Sequence, residues 1–501
     1  MKGAFLLLFL SVIGLLTAPA ASVATTAVVA TPATVDPSSS QRPNIVLFLA
    51  DDLGYGDLRC YNPGSKIPTP NMDRLAAEGL RFTDAHTPAA VCTPTRYGLL
   101  TGRYCWRTRL QSSVLWTEYE EPLIEPQRET VACLLQRAGY RTAAIGKWHL
   151  GLNFAKPGGG FVRGKINHLN GAGGTREVDF AQPIQGGPSV LGFNTSFLLP
   201  GGINLEPHFF IEDDRVVGKP KIWREAGAPT RPGTSGHGVH EGWMAKGWSD
   251  EAIGPVLTEK ALEFIAASAA ERKPFFLYFA SPAPHSNCTP SNFARGKSEA
   301  GVRGDMVYEF DWCVGRVLAK LDELGIAGDT LVIVTSDNGG VARSDEGQDF
   351  GHQSCGQLRG FKGQLFEGGH RVPFLVRWPG QAPPGNTNDS LVVLTDVLAT
   401  FANLVGANVS PRAGSDSFNV LPALRGTAMG AAARPAVVLH SGAGHFAVRR
   451  GPWKLIFDVK MNPMQLFNLE SDLREETNLI AYEPAVVTRL QAELAQIRAA
   501  K

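Results

Sequence analysis

Four short apolar runs along the chain each stop at a polar cluster. The run "NIVLFLA" leads into Asp51 and Asp52, "RTAAIG" into Lys147, Trp148 and His149, "PFFLYFASPAP" into His285, and "TLVIVTS" into Asp337 and Asn338. Continuous runs of about four to eight residues rich in Val, Ile and Phe suit strands buried on both faces, as in a parallel sheet covered by helices. Helical patterns fall between them. "TPNMDRLAAEG" offers Thr69 as a cap, Pro70 in the first turn and Gly79 as a stop, and "ETVACLLQRAG" repeats the scheme with Thr130 and Gly139. From Gly304 to Leu324, Met306, Phe310, Cys313, Val317, Leu321 and Leu324 recur at helical spacing and supply a crossover between the third and fourth strands. The pattern predicts an α/β fold whose large, mostly parallel sheet is flanked by helices.

The pattern changes twice. Residues 154–249 are rich in Gly, Pro and His with little periodicity, and read as an insertion over the active site or as poorly ordered chain. After "NVLPALRGTAMGAAARPA" come the short pieces "AVVLH", "HFAVRR", "WKLIFDV" and "QLFNL", then an amphipathic stretch with Val487, Leu490 and Leu494. This predicts a small antiparallel sheet with one helix at 431–501, following a catalytic domain at 42–430. At the other end, Lys2, the apolar "AFLLLFLSVIGLL" and the small residues "TAPAASVA" read as a secretory signal over 1–24, with cleavage after Ala20 or Ala24. The apolar run is short for a membrane span, so no stable anchor is expected. Residues 25–41 read as a linker rich in Pro, Ser, Thr and Ala. The expected location is the periplasm or the extracellular space, or a lysosome or secretory compartment in a eukaryote.

Composition adds little to this: 501 residues, 44% hydrophobic and 19% charged, is ordinary globular usage. A net charge of +1 gives no electrostatic reason to expect a nucleic acid partner, so any bound anion requires a local site. The seven cysteines are an odd number for an exported chain, with no CxxC pair to suggest a zinc ribbon. Cys133 and Cys313 fall on apolar helical faces. Four N-x-S/T triplets occur, at Asn194, Asn287, Asn388 and Asn408.

In parallel sheets ligands sit outside the carboxyl ends of the strands, where all four polar clusters fall. Asp51, Asp52, Asp337 and Asn338 form an all-oxygen set that favours calcium, or magnesium, over zinc. Arg96, Lys147, His149, His285 and Lys362 form a cationic set suited to an oxyanion. Cys92 stands in "VCTPTRYGLLTGRY". With Thr93 as cap and Pro94 at the first helical position, it would lie at the positive end of a helix with Arg96 one turn on. That setting would bind an anion or activate a thiol, yet a thiolate is a poor partner for a hard ion, and spacing leaves the conflict open.

"CTPTRYGLLTGR" resembles the sulfatase signature, CxPxR followed by a TGR-type element, with Thr95 where many members have Ser. "PNIVLFLADDLGYGDLRCYN", "GYRTAAIGKWHLG", "APH", "TSDNGG", "FKGQLFEGGHRVPFLVRWPG" and "LFNLESDLREETNL" are similar to further sulfatase blocks. The resemblance implies an alkaline-phosphatase-like fold and hydrolysis of sulfate esters. It also implies formylglycine made from Cys92 by a maturation enzyme, with calcium held by Asp51, Asp52, Asp337, Asn338 and the modified Cys92. In that reading a hydroxyl of the hydrated aldehyde attacks sulfur, assisted by Asp337. Arg96, Lys147 and Lys362 steady the sulfate, His285 protonates the leaving alcohol, and His149 takes the proton of the second hydroxyl. A phosphomonoesterase or phosphonate hydrolase on the same scaffold, and a non-catalytic binder of sulfated glycans, are the competing readings. The expected substrate is a sulfated small molecule or carbohydrate. His208, His237 and His240, with Trp243 and Trp248, are candidates either for a sugar pocket or for loop packing.

Overall fold

The computed structural model describes residues 42–163, 176–227, 238–341, 349–410, 413–429 and 434–500. The expected signal and linker lie outside the described residues, as does His237. Each of the four apolar runs is a strand: β1 is Asn44–Ala50, and the others are found at Arg141–Lys147, Phe275–Ala280 and Thr330–Ser336. Counting the strands of the main sheet in chain order, β2 is Leu80–Phe82, β3 Arg141–Lys147, β4 Thr195–Leu199, β5 Ile211–Glu212 and β6 Arg215–Val216. Then come β7 Phe275–Ala280, β8 Thr330–Ser336, β9 Phe374–Arg377 and β10 Asn386–Asn388. The ten lie in the order β10-β2-β9-β8-β1-β7-β3-β4-β5-β6. The central five, β8 to β4, are parallel, and the flanking pairs β8/β9 and β4/β5 are antiparallel.

Strand periodicity divides the side chains of β1 between two cores. Ile45, Leu47 and Leu49 pack with α2 (Cys92–Thr101), α3 (Val131–Arg137) and α6 (Val397–Val405), whereas Val46 and Phe48 face α1 (Pro70–Ala77), α4 (Ile253–Ala270) and α5 (Gly301–Glu323). Each fully buried Leu, Ile or Phe contributes about 1.5–3 kcal/mol of transfer free energy, so apolar burial on both faces drives the layering. The crossover from β7 to β8 is α5, as its spacing predicts. Thr130 caps α3 by accepting from the Cys133 amide.

Two expectations are corrected. Thr69 does not cap α1 with its side chain, which bonds Asp73 instead. The first amides of α1 are met by Asp311 of α5, which accepts from Asn71 N at 3.2 Å and Met72 N at 2.8 Å. The stretch 154–249 is not only a cover, because "TSFLL" is β4 and joins the main sheet beside β3. Its strand is five residues long and preceded by turns, too short for periodicity to separate from loop. Of the four asparagines in N-x-S/T triplets, Asn287 and Asn388 are buried. Cys313 is buried and Cys133 only half-buried.

The C-terminal strands β11 (Val437–His440), β12 (Phe446–Arg450), β13 (Trp453–Phe457) and β14 (Pro463–Asn468) form an antiparallel sheet in sequential order. One face packs on Leu490 and Leu494 of α7 (Pro484–Ala499), the other on Leu365 and Val393. Lys454 of β13 is fully buried, 2.9 Å from Glu367 Oε1 and 2.8 Å from Glu475 Oε1. No helix among the described residues is long and apolar enough to cross a membrane.

Candidate active site

The helix α2 begins at Cys92, with Val91 as its N-cap. Cys92 is therefore inside the first turn, not before it, and Thr93 accepts from the Leu115 amide at 3.3 Å instead of capping. Gly98 lets the helix approach Pro88, whose Cγ would lie 2.9 Å from an added Cβ, and Gly102, at φ 63°, ends the helix in the left-handed conformation. Arg96 follows one turn after Cys92, and both are buried. Burial pushes the Cys92 thiol up to about 11, against the pull of Lys147 and Lys362. An unmodified thiol here is protonated at neutral pH and a poor nucleophile.

Strand ends bring the charged residues to this helix. Asp51 and Asp52 follow β1, Lys147 ends β3, and Asp337 and Asn338 follow β8. Arg96 donates through Nε and Nη2 to Asp337 Oδ2 at 3.0 and 2.7 Å, and Nη2 lies 3.7 Å from Asp51 Oδ2. Lys147 donates to Asp51 Oδ2, and Lys362 donates to Asp52 Oδ2 at 2.7 Å. Asn338 Nδ2 donates to Asp52 Oδ1 at 2.7 Å. Asp51 Oδ1 and Asn338 Oδ1 are buried with no hydrogen-bond partner. One ligand-capable atom from each of Asp51, Cys92 and Asp337 lies within 4.8 Å of the other two, and the same holds for Asp51, Asp52 and His285. Partnerless buried oxygens are costly, and hard oxygen donors of this kind fit a divalent cation of the calcium or magnesium class.

Proton affinities follow from the packing. Burial would raise Asp51, but Lys147, with His285 and Arg96, holds it well below the usual carboxylate range. Burial and then the Asp51 charge raise Asp337 to about 7, in spite of Arg96. His149, at φ 56°, bonds the Leu115 carbonyl through Nε2 at 2.8 Å. A carbonyl requires a donor, so Nε2 carries the proton and Nδ1, buried and without a partner, presents a lone pair. Burial and Lys147 keep this ring neutral. His285 likewise bonds the Ser286 carbonyl through Nδ1, leaving Nε2 3.8 Å from Asp52 Oδ2. Burial and Lys362 lower it to about 4.

The sequence pattern did not point to Gly202 or Asn204. A Cβ on Gly202 would lie 2.8 Å from Asn204 Oδ1, 3.7 Å from Lys147 Nζ and 3.9 Å from His285 Nδ1, so this turn borders the site. The paired glycines of "PGG" after β4 were its signal. Of the sugar-pocket candidates, His208 is buried and bonds the His240 carbonyl at 2.9 Å, while His240 Nδ1 pairs with Glu206 Oε2 at 3.0 Å. Trp243 packs edge-on against Trp223, and Trp248 donates to Asp250 at 2.7 Å. These contacts serve loop packing; His208 is buried, whereas His240 keeps part of its side chain exposed. A second cluster, His86, Glu367 and His370, also converges, but the Lys454 ammonium lies 2.9 Å from both Glu367 Oε1 and His370 Nε2 and supplies the positive charge there.

The sulfatase family model matches residues 43–407, and that for the C-terminal part of N-sulphoglucosamine sulphohydrolase matches residues 360–500. The N-acetylgalactosamine-6-O-sulfatase of Bacteroides thetaiotaomicron is 33% identical, over 92% of this chain and 94% of its own length. Human arylsulfatase A is 34% identical, over 90% of this chain and 82% of its own. A Bacteroides thetaiotaomicron protein solved in connection with the metabolism of multiple glycosaminoglycans superposes with a TM-score of 0.77 at 31% identity, covering 92% of this chain and 100% of that one. The chain belongs to the sulfatase family, with its alkaline-phosphatase-like fold, and is a hydrolase of sulfuric esters.

Proposed function

We propose that this sulfatase removes sulfate from a sulfated carbohydrate after Cys92 has been converted to formylglycine. Its substrate class is a 6-O-sulfated amino sugar of glycosaminoglycan type, in line with the N-acetylgalactosamine-6-O-sulfatase of Bacteroides thetaiotaomicron, which is similar over almost the full length of both chains. The observation that carries the reading is the position of Cys92, inside the first turn of α2 and against an oxygen-only set with two partnerless oxygens. Asp51, Asp52, Asp337 and Asn338 would hold calcium, or magnesium, which would neutralise the carboxylates and polarise sulfate oxygens. Formylglycine, once hydrated, supplies an oxygen nucleophile where the thiol at about 11 could not serve.

The surrounding side chains have matching tasks. Arg96, Lys147 and Lys362 lie around Cys92 as fixed positive charges for the sulfate. Asp337, beside Cys92, assists the nucleophile. His149 receives the remaining hydroxyl proton on Nδ1, the nitrogen left open by the bond to Leu115. His285 delivers a proton from Nε2 to the leaving alcohol, and an anionic ester bound beside it raises its affinity for that proton. The maturation enzyme that oxidises Cys92 is the implied protein partner, and export through the 1–24 signal is the implied route.

Mass analysis of the peptide containing Cys92 tests the modification, since thiol to aldehyde lowers the mass by roughly 18 Da instead of adding oxygen as ordinary thiol oxidation does. Sulfate release from 6-O-sulfated N-acetylgalactosamine, set against 4-O- and 2-O-sulfated sugars, tests the substrate. Preference for a non-sugar aryl sulfate over every sulfated saccharide would overturn the carbohydrate assignment.

A further inference from the structure

Two adjacent carboxylates at the end of a strand pose a geometric problem. In extended chain, successive side chains point to opposite faces, so Asp51 and Asp52 would diverge. They converge because Asp52 adopts φ 68°, a left-handed conformation that costs a residue other than glycine roughly 1–2 kcal/mol. Something must hold that turn. The Asp52 amide donates to Asp337 Oδ1 at 3.2 Å, and the Leu53 amide to Ser336 Oγ at 2.9 Å. The Asp52 carbonyl accepts from Arg303 Nη2 at 2.7 Å.

Arg303 comes from α5, far from the turn in sequence, and is buried. Its guanidinium is gripped by Asp57, with Nη1 to Oδ1 at 2.9 Å and Nη2 to Oδ2 at 2.7 Å. Asp57 is fully buried and accepts also from Gly54 N at 2.7 Å, while His352 Nε2 lies 2.8 Å from its Oδ1. The Gly54 to Asp57 loop is pressed on the segment after His352, for a Cβ on Gly54 would meet Ser354 O at 2.0 Å and one on Gly56 would meet Gly356 N at 2.2 Å. That segment leads to Lys362, whose ammonium bonds the Asp52 carboxylate. Asp57 thus joins the backbone of Asp52, the helix α5 and the chain leading to Lys362.

We propose that Arg303 and Asp57 are positioning residues for the divalent ion: Asp57 orients Arg303, and Arg303 pins the Asp52 carbonyl in the left-handed turn that aims the Asp52 carboxylate at the ion. The inference rests on the ion site proposed above. The pair is internally neutral, so its effect is exerted through the geometry of Asp52 and not through added charge. Removing Arg303 alone would leave the buried Asp57 carboxylate without its guanidinium partner, and a loss of folding would then obscure the result. The double variant Arg303→Met with Asp57→Asn removes both charges together.

The test is calorimetric titration of chelator-treated full-length protein with calcium chloride, comparing wild type, the double variant, Arg303→Lys, and Lys320→Ala on the exposed side of the same helix. Loss of support around a metal ligand typically weakens affinity about 10–100-fold, which is the range expected for the double variant. Arg303→Lys, which keeps the charge but cannot bridge both Asp57 oxygens and the carbonyl, should show a smaller loss, and Lys320→Ala none. Calcium affinity within twofold of wild type in both the double variant and Arg303→Lys would overturn the positioning role, even if thermal stability fell. If the double variant does not fold, unchanged affinity in Arg303→Lys overturns the role by itself. No calcium or magnesium binding by the wild type would overturn the ion site and this inference with it, a result distinct from binding that is equal in all variants.

Discussion

At the scale of single residues, the site turns on protons placed by carbonyl partners. His149 and His285 each spend one ring nitrogen on a backbone carbonyl, which leaves a defined nitrogen for chemistry. Because the role of His285 is to protonate the leaving group, its loss should matter in proportion to how poor that group is. His285→Gln is expected to lower kcat for a sugar sulfate by about 10²–10⁴-fold, and to affect nitrophenyl sulfate far less, in parallel steady-state assays. Equal losses on both esters would remove His285 from that role. Cys92 and Arg96 were legible because one helical turn separates them. The left-handed φ of Asp52 and His149 was not, since neither is a glycine and no local pattern calls for it.

At the scale of elements, α5 shows what periodicity reads and what it misses. Its apolar stripe is evident from Met306 to Leu321, and those side chains do fill the core beneath β1 and β8. Its acids look like solvated surface charge, yet three of them are buried and bind backbone amides of other segments. Asp305 accepts from Gly296 N at 2.7 Å, Glu309 from Ser291 N at 2.6 Å and Asp311 from the start of α1. Partners so distant in sequence leave no signature at any spacing. Burial raises Glu309 to about 7, so its neutral form is favoured in the fold. A folded pKa above the unfolded one means that this group's contribution is complete below about 4.5 and is lost as pH rises through about 7. Glu309→Gln keeps an acceptor for Ser291 and removes that dependence. Its stability relative to wild type should therefore improve between pH 5 and pH 8.5, by up to about 3 kcal/mol for a shift of this size, in denaturant titrations. A constant difference across that range would show that Glu309 does not titrate as inferred.

At the scale of the whole molecule, the parallel centre of the sheet was legible because four apolar strands ended in chemistry on the same edge. The outer strands were not, because β4 is five residues and β5 and β6 two each, within a stretch whose Gly and Pro content suggested cover. The C-terminal sheet was visible as alternating short pieces, but its attachment was not. A single buried lysine, Lys454, ties β13 to Glu367 and to Glu475. Lys454→Met should cost about 3–5 kcal/mol, as expected when one partner of a buried ion network is removed and the carboxylates stay behind. Thermal unfolding at fixed pH would register this as a fall in Tm, and an unchanged Tm would show that the carboxylates are neutralised in another way.

The central claim is that an oxygen nucleophile made at Cys92 breaks sulfate esters at an oxygen-lined ion site. The most direct measurement is kcat/KM for nitrophenyl sulfate and nitrophenyl phosphate at matched concentration, using protein produced together with a formylglycine-generating enzyme and its Cys92→Ala variant. The account predicts a large preference for the sulfate ester and no turnover by Cys92→Ala, which should remain folded. A preference for phosphate, or full sulfatase activity without Cys92, would contradict it.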